Sequence, residues 1–175
     1  MHRFAIRVRY GDTDQMGFAY YGNYLRWFEI GRAEMLRSLG RSYRDIESLG
    51  IWLPVLEAKC RYLKPARYDD EVVIETGVLA LGRASVRFGY RVVRGGSEAS
   101  SDGNAASSGG SEASSGGNTA SSGGNAASSA RDAEMLAFGH TEHCYMGPGE
   151  RPVRPPRELL ELLATAPPAV LPGPD

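Results

Sequence analysis

The sequence predicts an α+β fold in which one antiparallel β-sheet wraps around a long central α-helix. Three observations lead there. Residues 3–10 alternate apolar and polar, as a half-buried strand does. Residues from Tyr21 or Gly22 to about Leu39 carry apolar side chains at helical spacing and beyond one face, too many for a helix laid on a surface. From Pro54 the period of two returns, and four strands follow one another.

Each element has its own warrant. In the first strand Phe4, Ile6, Val8 and Tyr10 share one face and Arg3, Ala5, Arg7 and Arg9 the other. In the helix Tyr24, Leu25, Phe28, Gly31, Met35, Leu36 and Leu39 form the stripe, which Trp27 and Ile30 widen. Gly31 costs about 1 kcal/mol relative to Ala, so close approach of another backbone is expected there. Gly40 fits a C-terminal stop. Ser42 followed by Asp45 reads as the cap of a short second helix ending near Gly50.

Leu56, Ala58, Cys60 and Tyr62 then line one face of a strand that Lys64-Pro65-Ala66 breaks. Glu71 to Leu81 is rich in β-branched residues, and Gly82-Arg83 turns the chain. Ala84, Val86, Phe88, Tyr90 and Val92 line the next strand, and Glu134 to Met146 is the last. Gly147 to Pro156 reads as an irregular arm, Arg157 to about Leu163 as an amphipathic helix, and Pro167 to Asp175 as a frayed tail.

Gly95 to Ser129 is five tandem heptads: GGSEASS, DGNAASS, GGSEASS, GGNTASS, GGNAASS. The period does not make a coiled coil, because no position carries a large apolar residue. Such a stretch buries too little surface to offset its ordering entropy. The expected organisation is one domain from 1–94 and 133–165, a disordered insertion at 95–132 in a hairpin loop, and a flexible tail at 166–175. Loop closure cost rises only logarithmically with length, so the insertion is tolerable.

With 175 residues and a formal charge of -1, the chain has no electrostatic footprint for nucleic acid or an anionic membrane. No apolar run suggests a leader or a bilayer span. Cys60 and Cys144 read as buried, reduced thiols. A cytoplasmic location follows as the expectation. His140-Thr141-Glu142-His143-Cys144 invites a metal reading. On a strand, however, His143 points away from His140, Glu142 and Cys144, so no metal site is expected.

The stretch that organises the chain is Tyr10 to Phe28. A Gly- and Asp-rich loop carries Asp12 and Asp14 to the start of the long helix, whose first N–H groups lack partners and carry partial positive charge. An acid beside oriented N–H donors is what hydrolysis of an activated carbonyl requires: the acid handles the attacking water and the donors hold the oxyanion.

Tyr10-Gly11-Asp12-x-Asp14-x-x-Gly17 followed by Tyr20-Tyr21-x-Asn23-Tyr24-x-Arg26-Trp27 resembles the signature of the 4-hydroxybenzoyl-CoA thioesterase family. These are hotdog-fold acyl-CoA thioesterases and include those associated with the Tol–Pal system. The likeness continues more weakly through Pro65-Ala66-x-Tyr68-Asp69-Asp70-Glu71 and the C-terminal Pro-Glu-Leu-Leu region.

It implies hydrolysis of an acyl-CoA to free acid and CoA, with Asp14 as general base or nucleophile and the backbone N–H of Tyr21 as oxyanion donor. Gly17 would permit the tight turn, Asp12 would shape the loop, and Asn23 would orient Asp14 or cap the helix. CoA phosphates call for basic residues at the mouth. Arg83 is the first candidate, with Lys64 and Arg67 as alternatives, and Glu29 is the second candidate acid. No cofactor is implied, since CoA belongs to the substrate.

A single layer leaves the helix partly uncovered and a sheet edge exposed, so a homodimer or homotetramer is expected. Two other readings stay open: a non-catalytic acyl-CoA binder, and a hotdog dehydratase or hydratase. The second is disfavoured because His2, His140 and His143 all lie outside the loop and helix.

Overall fold

The computed structural model describes residues 1–95 and 133–172. The expected insertion at 95–132 therefore lies almost wholly outside the described residues, as do the last three residues of the expected tail.

The elements are β1 (His2–Arg7), α1 (Asn23–Ser38), α2 (Tyr43–Ser48), β2 (Val55–Tyr62), β3 (Glu71–Leu81), β4 (Ser85–Arg94), β5 (Glu134–Cys144), the short pair β6 (Met146–Gly147) and β7 (Arg151–Pro152), and α3 (Arg157–Thr165). Five strands form one antiparallel sheet in the order β1-β3-β4-β5-β2. The arrangement is the hotdog fold: α1 lies in the concave face, and Phe28 stacks on Tyr90 of β4 at 4.3 Å between ring centroids. The period of two in β4 is obeyed, with Val86, Phe88, Tyr90 and Val92 all fully buried.

Gly31 makes room for β3. A Cβ there would lie 2.4 Å from Thr76 Oγ1 and 2.6 Å from Ile74 Cγ2. The close neighbour is therefore a pair of buried side chains, not the backbone expected. Ser42 caps α2, with its hydroxyl accepting from Asp45 N–H and its own N–H donating to Asp45 Oδ2 at 2.6 Å.

Four expectations need correction. Tyr10 does not continue β1; the strand ends at Arg7, and Tyr10 begins a single 3-10 turn with its ring 80% exposed. The apolar face of β2 is not covered within this chain, since β2 is an edge strand and Leu56 stays 62% exposed. Cys60 and Cys144 are free thiols but only half-buried.

The tail does not fray from 167 to 169. Pro167 O accepts from Val78 N–H at 2.9 Å and Ala169 N–H donates to Val78 O at 2.9 Å. These bonds fall beyond Thr76, where pairing with β1 stops. Phe88 and Tyr90 face α1, so Gly89 between them faces away. The lack of side chains at Gly77 and Gly89 lets the tail approach to 2.7 Å of where a Cβ would stand.

A polar cluster lies inside the apolar core. Arg32, from the middle of α1, is 93% buried. It donates to the Tyr43 hydroxyl, to Tyr90 OH at 3.0 Å and to Thr141 Oγ1 at 3.3 Å. Thr141 Oγ1 also meets His143 Nε2 at 2.8 Å, and His143 Nδ1 lies 2.9 Å from Leu53 O.

Candidate active site

The loop from Tyr10 to Gly22 is held at one end of the sheet by main-chain bonds. Val8 N–H donates to Asp70 O at 2.9 Å and Ala19 N–H to Ala66 O at 2.8 Å. Asp12 organises it from within. Its Oδ2 accepts from Arg9 N–H at 2.9 Å, and its carbonyl accepts from Tyr20 N–H at 2.8 Å and from Asn23 Nδ2 at 2.7 Å. Asn23, nearly buried, thus ties the start of α1 to the loop. It is the first residue of α1 and caps no helix N–H; Gly22 stands at the cap.

Asp14 sits in a tight turn closed by Asp14 N–H to Phe18 O and Gly17 N–H to Asp14 O, both at 2.9 Å. Gly17 takes φ 75°, a left-handed conformation that strains any side chain. Asp14 Oδ1 accepts from Met16 N–H at 2.9 Å. Asp14 is half-buried and borders two cavities.

The first, about 310 Å³, is walled by Met16, Phe18, Tyr24, Tyr62 and Leu63 and is mostly apolar. Tyr21 borders it. The first turn of α1 is tightened by Asn23 N–H to Tyr20 O, Tyr24 N–H to Tyr21 O and Leu25 N–H to Gly22 O. That leaves the N–H groups of Tyr21 and Gly22 without an acceptor among the described residues, beside the positive end of the helix. Tyr62 OH donates to Tyr21 O at 3.1 Å, and Tyr24 OH accepts from Ala66 N–H at 3.1 Å, fixing both walls. An acid and a residue with an unpaired N–H that border one cavity are the groups needed to activate water and to hold an oxyanion.

Asp14 thus shares one cavity with Gly17 and the other with Tyr21, Asn23 borders neither and ties α1 to the loop through Asp12, and Arg83 is remote. The β3–β4 turn is at the far end of the sheet, since β3 starts beside the loop at Glu71 and runs to Leu81. At about 3.3 Å per residue the separation is roughly 30 Å. Lys64 reaches the cavity but is engaged by Glu134 at 2.6 Å. Arg67 lies over the Phe18 ring, 4.7 Å from its centroid. Glu29 is exposed and borders neither cavity. His140 pairs with Glu57 while His143 is buried on the other face, so the His140–Cys144 run does not converge.

A profile of the thioesterase superfamily matches residues 16–100. The acyl-CoA thioester hydrolase YbgC of Escherichia coli is 32% identical over 93 residues, which cover 53% of this chain and 69% of that protein. The chain belongs to the thioesterase superfamily.

Among other members, YneP of Bacillus subtilis is 38% identical over 87 residues, 50% of this chain; the match spans 63% of YneP, less than two thirds of its length. Solved structures share the fold over more of the chain. A hypothetical protein of Aquifex aeolicus superposes with a TM-score of 0.69 at 26% identity, covering 93% of this chain and 99% of that one. A DHNA-CoA thioesterase of Staphylococcus aureus gives 0.68 at 25%, covering 93% and 87%.

Sequence reasoning about this superfamily member missed the cavity walls. Met16, Phe18 and Tyr24 flank the acid in sequence, and their apolar character so close to Asp14 was the available signal. Tyr62 and Leu63, at the end of β2, are 41 or more residues from Tyr21 along the chain, and no local pattern points to them.

Proposed function

We propose that the protein is an acyl-CoA thioesterase of the 4-hydroxybenzoyl-CoA type, hydrolysing the thioester to free acid and CoA. One observation carries the reading: Asp14 and Tyr21, whose N–H has no acceptor among the described residues, border the same mostly apolar cavity near the start of α1. The thioester carbonyl would accept from Tyr21 N–H. Water, deprotonated by Asp14, would attack the carbon, the tetrahedral intermediate would collapse with cleavage of the C–S bond, and CoA would leave as the thiolate. Direct attack by Asp14, giving a mixed anhydride that water then opens, uses the same geometry. Asp14 Oδ2 has no protein partner among the described residues, which leaves an oxygen available for either role.

The active unit we propose is a homodimer or higher homo-oligomer joined along β2, a reading supported by the exposed Val55, Leu56 and Tyr62 on that edge. The two free thiols accord with a reducing, cytoplasmic setting.

The test is a thiol-release assay over short, long and aromatic acyl-CoAs, with Asp14→Asn alongside. Wild type is expected to turn over at least one class, and the variant to fold normally and lose more than about tenfold in kcat. Equal turnover by the variant would remove Asp14 from the chemistry. Tight binding without thiol release would favour a non-catalytic acyl-CoA binder.

A further inference from the structure

Asp14 also borders a second cavity, about 500 Å³, together with Tyr10 and Tyr68. The same two tyrosines border a third, about 860 Å³, which runs between β1 and α1 past Arg9, Arg26 and Trp27. The two spaces thus lie side by side at the tyrosine pair. Tyr10 and Tyr68 meet edge to face, 5.9 Å between centroids, and remain 80% and 59% exposed. Large aromatic rings left this wet next to a charged groove offer π-faces with nothing on them.

Two of the groove's three arginines lack an ion-pair partner among the described residues. Arg7, which also borders it, is paired with Asp69 and Glu71. Asp12 has one carboxylate oxygen committed to Arg9 N–H. The guanidinium groups of Arg9 and Arg26 make no ion pair among the described residues. Two free guanidinium forks beside two open aromatic rings complement a phosphorylated nucleotide.

We propose that the groove between β1 and α1 holds the phosphorylated adenosine end of coenzyme A. Arg9 and Arg26 meet its phosphates and Tyr10 and Tyr68 meet its base. The thiol end then reaches Asp14 through the cavity the tyrosines share, and the acyl group enters the apolar cavity on the other side of the acid. The β3–β4 turn of the same chain has no part in this, lying at the opposite end of the sheet. The identity of the ligand rests on the thioesterase reading; the site itself rests on the groove.

Calorimetric titration with free coenzyme A and with pantetheine, which lacks the nucleotide, tests it. Wild type should bind coenzyme A at least about tenfold more tightly than pantetheine, and raising salt should weaken only the former. Arg9→Gln and Arg26→Gln should each weaken coenzyme A by about tenfold, and the double variant should bind the two ligands alike. Both side chains are exposed, so folding is not at stake.

The proposal is overturned if the double variant binds coenzyme A as wild type does, if wild type shows no preference over pantetheine, or if only Arg83→Gln weakens binding. The thioesterase reading fails separately, if wild type releases thiol from neither acyl-CoA nor an acyl-N-acetylcysteamine thioester.

Discussion

His143 has no contact with water; its ring is fully buried between Leu53 O and Thr141 Oγ1, edge-on to Phe88. Burial, aided by the positive charge of Arg32, lowers its pKa from 6.5 to about 4. The unfolded chain takes up this proton below about pH 6.5, whereas the native chain resists until about pH 4. Stability from this group is therefore complete above pH 6.5 and is lost as pH falls through that window, by up to about 3 kcal/mol. The urea midpoint should fall between pH 7 and pH 4.5, and less so in His143→Gln. Identical slopes for the two proteins would contradict this.

Arg32 shows why such a cluster was not legible in sequence. One arginine among the polar residues of an amphipathic helix looks solvated. Only the packing of α2, β4 and β5 around α1 encloses it with hydroxyl partners rather than carboxylates. The position of Asp14 beside the start of α1 was legible because Asp, Gly and a helix start lie within a few residues of one another.

At the level of elements, β3, β4 and α1 were readable because their periodicity matches their surroundings. Ser42 was readable because capping is local. The exposure of β2 was not, because whether an alternating strand is central or at an edge depends on pairing partners far away in sequence. Gly31 joins the two levels. Gly31→Ala would gain up to about 1 kcal/mol of helix propensity, but its methyl would collide with the buried Thr76 and Ile74. Overpacking of this kind costs about 1–3 kcal/mol. Net destabilisation is expected in chemical denaturation, and a more stable variant would show that α1 can lift off β3.

For the whole molecule, the roots of the 96–132 stretch are already joined: Arg94 Nη1 donates to Glu134 Oε2 at 2.6 Å, across the β4–β5 ladder. We propose that 95–132 is an insertion in this hairpin loop; replacing it with a short turn should leave Tm unchanged or higher by a few degrees. Failure to fold would place part of the domain inside it.

Val78 shows what Pro167–Ala169 guard against. A protease cut between Ala166 and Pro167 would strip the N–H and carbonyl of Val78 and leave a bare, glycine-flanked stretch of rim, the kind of edge on which one chain templates another. Light scattering should then reveal slow self-association in a protein whose Asp14 loop is untouched. A three-residue strap at one corner would thus govern how well the protein keeps in storage.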